Sequence, residues 1–494
     1  MKQKLESINK GMIIIAAIFL LEVINITLLE SSWILLITIP QFLIVLVLLF
    51  KGDYEKALLW HIIFNVTSCD KNTIDEETIM LSYSSLKLVG PLTISYILLG
   101  LIWFFTLFKK RLIPSDSLLY KLRRLFVILF AFGSVFGIIG LGLFNYSLGD
   151  FIPPFRYMLI ALLYLDIFSR LYNESFMRKC YHFCIYMLIA TPLATAICYF
   201  ILNITYGYSV FESFVTTPIF IFTPILILYL IYHLPSGYKT QMIIALMCYF
   251  ALTIAAARGS QFLTTAVVLI ILVYIVYFSK NKNKYVGLGL FRTFLPIIAI
   301  GIVSVGSYLL LNIGESLTSN KLNQFVSLFT IFGNSGGGLA SLEEISTSPY
   351  IRIAEVLDII DNGLQNPFLL ILGKGYGGYY TDSLNLFVGI DLANGAFGED
   401  AISTGRFGSA HSMYPYAILF HGIIGFALII KMGITYLKQI EYTPLLFASF
   451  VFLLYSLYYN VPLMTASLLF LFASEYRLTD YYRTQKENKK DEKR

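Results

Sequence analysis

Long apolar runs bounded by charge recur along almost the whole chain, and their length sets the first expectation. They fall near Met12–Leu29, Trp33–Phe50, Leu88–Phe108, Leu125–Asn145, Arg156–Ser169, Tyr181–Asn203 and Glu212–Tyr232. Further runs lie near Gln241–Ala257, Phe262–Phe278, Thr293–Asn312, Tyr414–Lys431, Thr443–Tyr458 and Val461–Glu475. Most approach the ~20 residues that cross a bilayer core as helix. Ala57–Val66 is apolar too, but short; counting it as a crossing puts both termini on one side. The pattern predicts an all-α, polytopic integral membrane protein with about 12–14 transmembrane helices.

Positive charge orients the spans, because Lys and Arg accumulate in cytoplasmic loops. Lys109, Lys110, Arg111, Lys121, Arg123 and Arg124 face a single Asp116 between two runs. Arg170, Arg178 and Lys179 form a second cluster, Lys280, Lys282 and Lys284 a third, and the tail from Arg477 a fourth. Counting spans between them places all four on one side, with the C-terminus cytoplasmic. The chain then divides into N-terminal spans at 1–240, spans carrying an Arg-Gly turn at 241–313, and a large external loop at 314–413. C-terminal spans at 414–476 and a basic cytoplasmic tail at 477–494 complete it. Within the loop Ser348 and Pro349 open a helix whose apolar face begins with Ile351, Ala354 and Val356, and Asn362-Gly363 stops it. That helix is expected to act as a lid on the membrane surface.

Composition narrows the class. Hydrophobic residues make up 57% of the chain and charged residues 13%, about half the charge of a soluble domain. A soluble enzyme, a secreted disulfide scaffold and a disordered chain are excluded. Cys180 and Cys184 flank His182 at helical spacing, but no fourth ligand lies nearby, so no metal is expected. Walker, HExxH and GxSxG motifs are absent, which argues against an ATP-driven pump and against the common soluble hydrolases. The run Gly373-Lys374-Gly375-Tyr376-Gly377-Gly378 lacks the Ser/Thr of a phosphate loop and reads as a flexible turn.

Ionisable residues inside spans are expensive and therefore candidates. Glu22 and Asp166 are expected to be paired structurally. Arg156 sits at the outer end of its span, and Arg258 lies in Ala-Ala-Ala-Arg-Gly-Ser between two spans. A guanidinium fixed at such a turn suits a lipid-borne phosphate, which it grips bidentately. Arg352 leads the lid helix, with Glu355 and Asp358 following at three-residue spacing; an Arg352–Glu355 surface pair is the plain alternative. His411 ends the loop just before a span, where an imidazole can act as general base. His421 lies about three helical turns deeper. Tyr376, Tyr379 and Tyr380 lie in the loop, with Tyr414 and Tyr416 just beyond it.

The order of these pieces resembles a known family. An Arg-Gly turn (Arg258-Gly259) precedes, two spans on, a long outer loop with an Arg-led helix. Asn366-Pro367, the Gly373-Lys374-Gly375 turn, His411 and Gly422-Ile423-Ile424-Gly425 then follow. Over roughly Gln241–Lys431 this is similar to the O-antigen ligase/polymerase superfamily, which includes Wzy-type polysaccharide repeat-unit polymerases. The chain departs in having His411-Ser412 for the frequent His-Asn, and His421 where the family often has an acidic residue. The resemblance implies a GT-C-like membrane glycosyltransferase of the bacterial inner membrane, without a cofactor. Its implied donor is an undecaprenyl-pyrophosphate-linked oligosaccharide and its acceptor a growing polysaccharide. A chain-length regulator in the membrane is a further implied partner; nucleic acid is not. Carried over residue by residue, His411 would be the base, and Arg258 and Arg352 would stabilise the leaving pyrophosphate. Arg156, Tyr376 and Tyr414 join them as substrate contacts on position alone. An O-antigen ligase, or a flippase of the same lipid-linked glycan, is the alternative.

Overall fold

The computed structural model describes residues 2–29, 31–68, 81–89, 92–204, 238–256, 347–387, 397–408, 410, 413–438, 444–458 and 461–491. Helices dominate: α1 (Lys2–Thr27), α2 (Leu35–Phe50), α3 (Tyr54–Thr67), α4 (Ile94–Thr106), α5 (Leu118–Leu143), α6 (Leu148–Arg170) and α7 (Glu174–Ala196). After them come α8 (Lys239–Ala256), α9 (Thr347–Leu364), α10 (Pro367–Leu372), α11 (Glu399–Thr404), α12 (Met413–Leu437), α13 (Pro444–Ser456) and α14 (Val461–Asp491). Among the described residues six stretches, Lys10–Thr27, Ser32–Phe50, Leu118–Leu143, Leu148–Arg170, Glu174–Ile201 and Met413–Leu437, are long and apolar enough to cross a membrane. The predicted spans near 212–232, 262–278 and 293–312, and the Arg258 turn, lie outside the described residues.

Side-chain caps explain where several helices begin. Ser117 accepts the Tyr120 amide at the start of α5, so this helix opens at Leu118, ahead of the expected Leu125, and takes Lys121, Arg123 and Arg124 into its first turns. Asn173 caps α7 through the Phe176 amide at 2.8 Å. Near Leu88 the expected span gives way to a short hairpin, β1 (Lys87–Val89) with β2 (Leu92–Thr93). The helix starts only at Ile94, capped by Thr93.

The short helix α3 runs from one end of the bundle to the other. At its start Glu55 accepts from Lys179 Nζ (2.8 Å) and Asn173 Nδ2 (3.0 Å). At its far end Asn65 donates to Thr465 and accepts from Ser95, while Asn25 donates to the Thr67 carbonyl. Midway, His61 is held between the Tyr83 and Tyr164 hydroxyls, each at 2.8 Å. Fourteen residues rise only ~21 Å, less than a bilayer core, and the helix is enclosed by α1, α2, α4, α7 and α14 rather than lipid.

The basic clusters that are described share one end of this bundle. Arg170 Nη1 donates to the carbonyls of Leu107 and Lys109, both at 2.8 Å, and Glu475 of α14 accepts from the Leu119 amide and the Tyr172 hydroxyl. Asp166, expected to be structurally paired, lies here with Arg111, Arg123 and Arg170 around it. Lys280, Lys282 and Lys284 lie outside the described residues.

Candidate functional site

At the opposite end a break in α12 organises everything around it. Gly422 has φ 63° and ψ −171°, a backbone that glycine tolerates and that interrupts the helical ladder. The Leu419 and Phe420 carbonyls thereby lose the amides four residues on. The Lys374 amide takes the first at 2.7 Å and the Gly375 amide the second at 3.2 Å. One residue later the Tyr376 amide donates to the Gly133 carbonyl of α5 at 2.8 Å. The glycine run expected to be a flexible turn is therefore a wedge seated between α5, α6 and α12. A Cβ on Gly133 would lie 2.4 Å from the Tyr376 ring, and one on Gly375 would lie 2.2 Å from the Gly137 amide nitrogen.

This seating overturns one sequence expectation. Tyr376 is fully buried, with Phe130, Phe151, Phe155, Phe420 and His421 around its ring, so it cannot meet a sugar. Tyr380 is equally buried, its hydroxyl donating to Glu355 at 3.1 Å. The rings not fully buried are Tyr379 and Tyr416, both half-buried, and Tyr414, which is exposed. His421 is buried as well and shares a 2.7 Å hydrogen bond with the Tyr458 hydroxyl, which makes it a packing residue.

The lid helix forms close to where the sequence places it. α9 covers Thr347–Leu364, with Arg352 half-buried on it. Glu355 and Asp358 are both fully buried, so Glu355 is not part of a surface pair. They fasten the segment that follows the wedge. Asp358 accepts the Leu384 amide at 3.1 Å, and Asp382 accepts those of Leu386 (2.6 Å) and Phe387 (3.0 Å). Asn362 binds Thr381 and Ser383, and the Tyr350 hydroxyl donates to the Leu386 carbonyl at 2.7 Å.

Burial pushes the Asp358 carboxyl up to about 6, helped by the nearby Asp382 and opposed by the Leu384 amide. The folded protein therefore holds its proton more tightly than the unfolded chain, whose carboxyl titrates near 3.8. The fastening is strongest below pH ~4, weakens as pH rises to about 6, and is flat above. Amide exchange at Leu384, Leu386 and Phe387 is expected to be slower at pH 4 than at pH 7 after correction for intrinsic rates. Asp358→Asn should remove that dependence; if it persists unchanged in the variant, another group is responsible.

Three cations gather at this end. The Arg156 guanidinium lies over the rings of Tyr96 (5.4 Å) and Tyr157 (5.3 Å). Its buried Nε makes no hydrogen bond, and no carboxylate pairs with it among the described residues. Lys374 donates to the Tyr379 carbonyl at 2.7 Å, and burial lowers its ammonium to about 8. Arg406 stacks on the Tyr379 ring at 4.9 Å. Sequence reading overlooked Lys374 and Arg406; the visible signal was a lysine flanked by two glycines, which leaves its stem room to bury. Tyr416 of α12 lies within electrostatic reach of both Tyr157 and Glu355, linking the Arg156 face to the lid helix. His411 and Arg258 lie outside the described residues.

Among the described residues no three His, Cys, Asp or Glu side chains are grouped to hold a metal ion. The arrangement sets Arg156, Lys374, Arg406, half-buried aromatic rings and the fastened 380–387 segment at one end of a helical bundle whose other end gathers three arginines around Asp166. No protein-family model matches the chain, and no curated protein or solved structure matches it either.

Proposed function

We propose that this chain is a membrane glycosyltransferase that polymerises lipid-pyrophosphate-linked oligosaccharide repeat units, in a bacterial inner membrane with the wedge and lid on the outer side. The observation that carries this reading is Arg156: a tyrosine-flanked guanidinium with a buried, unsatisfied Nε and no described carboxylate partner. Leaving its Nε buried without an acceptor costs stability, which a bound anion offsets. An anion tethered to a lipid reaches it at the end of a membrane helix.

In the reaction, an acceptor sugar hydroxyl attacks the anomeric carbon of the donor glycan as the bond to the pyrophosphate oxygen breaks. His411 takes the hydroxyl proton, and the departing undecaprenyl pyrophosphate keeps the bonding electron pair. Arg156, Arg258 and Arg352 stabilise its growing negative charge. The donor carries its own activation, so no nucleotide or cofactor is required. Tyr379 and Tyr414 supply the aromatic surface in place of the buried Tyr376.

Surface glycan length tests the function. A deletion strain complemented with the wild-type chain should show long polymers, and the deletion strain itself single repeats. Complete loss of attached antigen would indicate a ligase instead. Arg156→Lys keeps the charge but loses the planar fork and the stacking, so it should lose most polymer. Arg156→Gln, which removes both the charge and the stacking, should lose polymer as well. Normal chain length from Arg156→Lys at normal protein level would remove this arginine from the mechanism.

A further inference from the structure

At the basic end, three arginines converge on a single carboxylate. Arg111 contacts Asp166 Oδ1 through Nη2 (2.9 Å) and Nε (3.0 Å), and Arg123 contacts the same oxygen through Nη2 (2.9 Å) and Nε (3.2 Å). Arg170 Nε and Trp103 Nε1 occupy Oδ2 at 2.8 and 3.0 Å. One carboxylate thus neutralises one of three guanidinium charges.

Arg170 spends its remaining Nη1 on two backbone carbonyls. Arg111 and Arg123 do not. Both grip Asp166 by the same edge, and the opposite edge of each makes no hydrogen bond among the described residues. Because they share one oxygen, the two guanidiniums lie side by side. Arg111 is 47% exposed and Arg123 17%. No other described carboxylate forms an ion pair with Arg111 or Arg123. Glu475 is buried against Leu119 and Tyr172, and Asp116 sits beside Glu475.

The surroundings say what kind of anion fits. The chain between α4 and α5 is held rigidly by the Arg170 bonds and by the Leu112 amide on the Ser169 carbonyl at 3.0 Å. Phe104, on the last turn of α4, is 51% exposed, and in the connection Phe108 is 85% and Leu112 57% exposed, interleaved with exposed Lys109, Lys110 and Arg111. Large apolar side chains alternating with cations at the end of a membrane helix match the depth at which acyl chains meet headgroups.

We propose that the Arg111–Arg123 pair is a binding site for the phosphodiester of an anionic glycerophospholipid, with its acyl chains along Phe104, Phe108 and Leu112. The bidentate edges of the two arginines bridge the phosphate, and Asp166 sets their spacing. The site is separate from the proposed glycosyl-transfer site, which lies at the other end of the bundle.

The test uses the purified full-length chain in detergent, presented with an equimolar mixture of phosphatidylglycerol and phosphatidylcholine and examined by native mass spectrometry. Wild type should retain phosphatidylglycerol preferentially, and phosphatidylglycerol vesicles should raise its melting temperature above that in phosphatidylcholine. Arg111→Gln, at a half-exposed position, should weaken phosphatidylglycerol binding roughly fivefold with its melting temperature in phosphatidylcholine unchanged. Lys438→Gln, which removes a surface lysine at the end of α12, should leave binding as in wild type. Equal retention of both lipids by wild type would overturn the proposal. So would an equal loss from Lys438→Gln, which indicates diffuse charge, or stabilisation by inorganic phosphate matching that by the lipid, which indicates a free-anion site.

Discussion

His411→Ala is expected to yield a protein that inserts at normal level and makes little or no polymer. The residue stands between Ala410, which is buried and hydrogen-bonded through its backbone to Tyr416, and Met413, the first residue of α12. α12, which begins two residues after His411, packs against both α9 and α10. Loss of a positioned general base typically slows a reaction by roughly 10²–10⁴-fold. His421→Ala is the contrasting variant. His421 is buried against Tyr376 and bonded to Tyr458, so its removal opens a cavity and strands a hydroxyl. That variant should melt lower and accumulate less, yet each inserted molecule should remain active. Membrane-fraction immunoblots beside a glycan gel separate the two behaviours. Long chains from His411→Ala would exclude it as the base, and loss of activity per molecule only at His421 would reverse the roles.

Gly375→Val is expected to unseat the wedge. The residue has φ +76°, and its Cβ would fall 2.2 Å from the Gly137 amide nitrogen and 2.5 Å from the Phe136 carbonyl carbon. Both are backbone atoms of α5 that no rotamer change can move. Overpacking together with a left-handed β-branched residue should cost about 3 kcal/mol or more. Withdrawing the wedge also frees the Leu419, Phe420 and Gly133 carbonyls that its amides satisfy. The expected result is rapid proteolysis within 373–387, a lowered melting temperature and loss of polymer. Gly398→Ala serves as the control, because a Cβ there meets nothing within 4 Å. If Gly375→Val resists protease as wild type does, the wedge is not what holds the lid segment in place.

The lid helix shows how far sequence reasoning reaches here. Its start at Ser348-Pro349 and stop at Asn362-Gly363 are local signals, and α9 spans Thr347–Leu364. Its buried acids were visible only as a spacing. That Glu355 and Asp358 face inward depends on Tyr380 and the 381–387 segment arriving from elsewhere in the chain. The burial of Lys374 and Tyr376 is illegible for the same reason, since glycine composition alone describes a mobile turn and a tightly seated wedge equally well.

Properties that depend on neighbouring residues could be read without coordinates. The existence of membrane-length apolar helices follows from the length of each run, and the grouping of basic loops at one end follows from counting those runs. Ser117, Thr93 and Asn173 mark helix starts because capping is a contact within three residues. The tertiary structure alone decided which polar groups are satisfied. A broken α12 at Gly422 receives amides from residues 45 positions away, and Asp166 collects arginines from three different segments. Arg156 meets tyrosine rings and no described carboxylate. Apart from Arg170, four residues after Asp166, and Tyr157, next to Arg156, such pairings join residues whose separation in the chain carries no periodic or local signal, because the free energy of burying a polar group depends on what surrounds it in space.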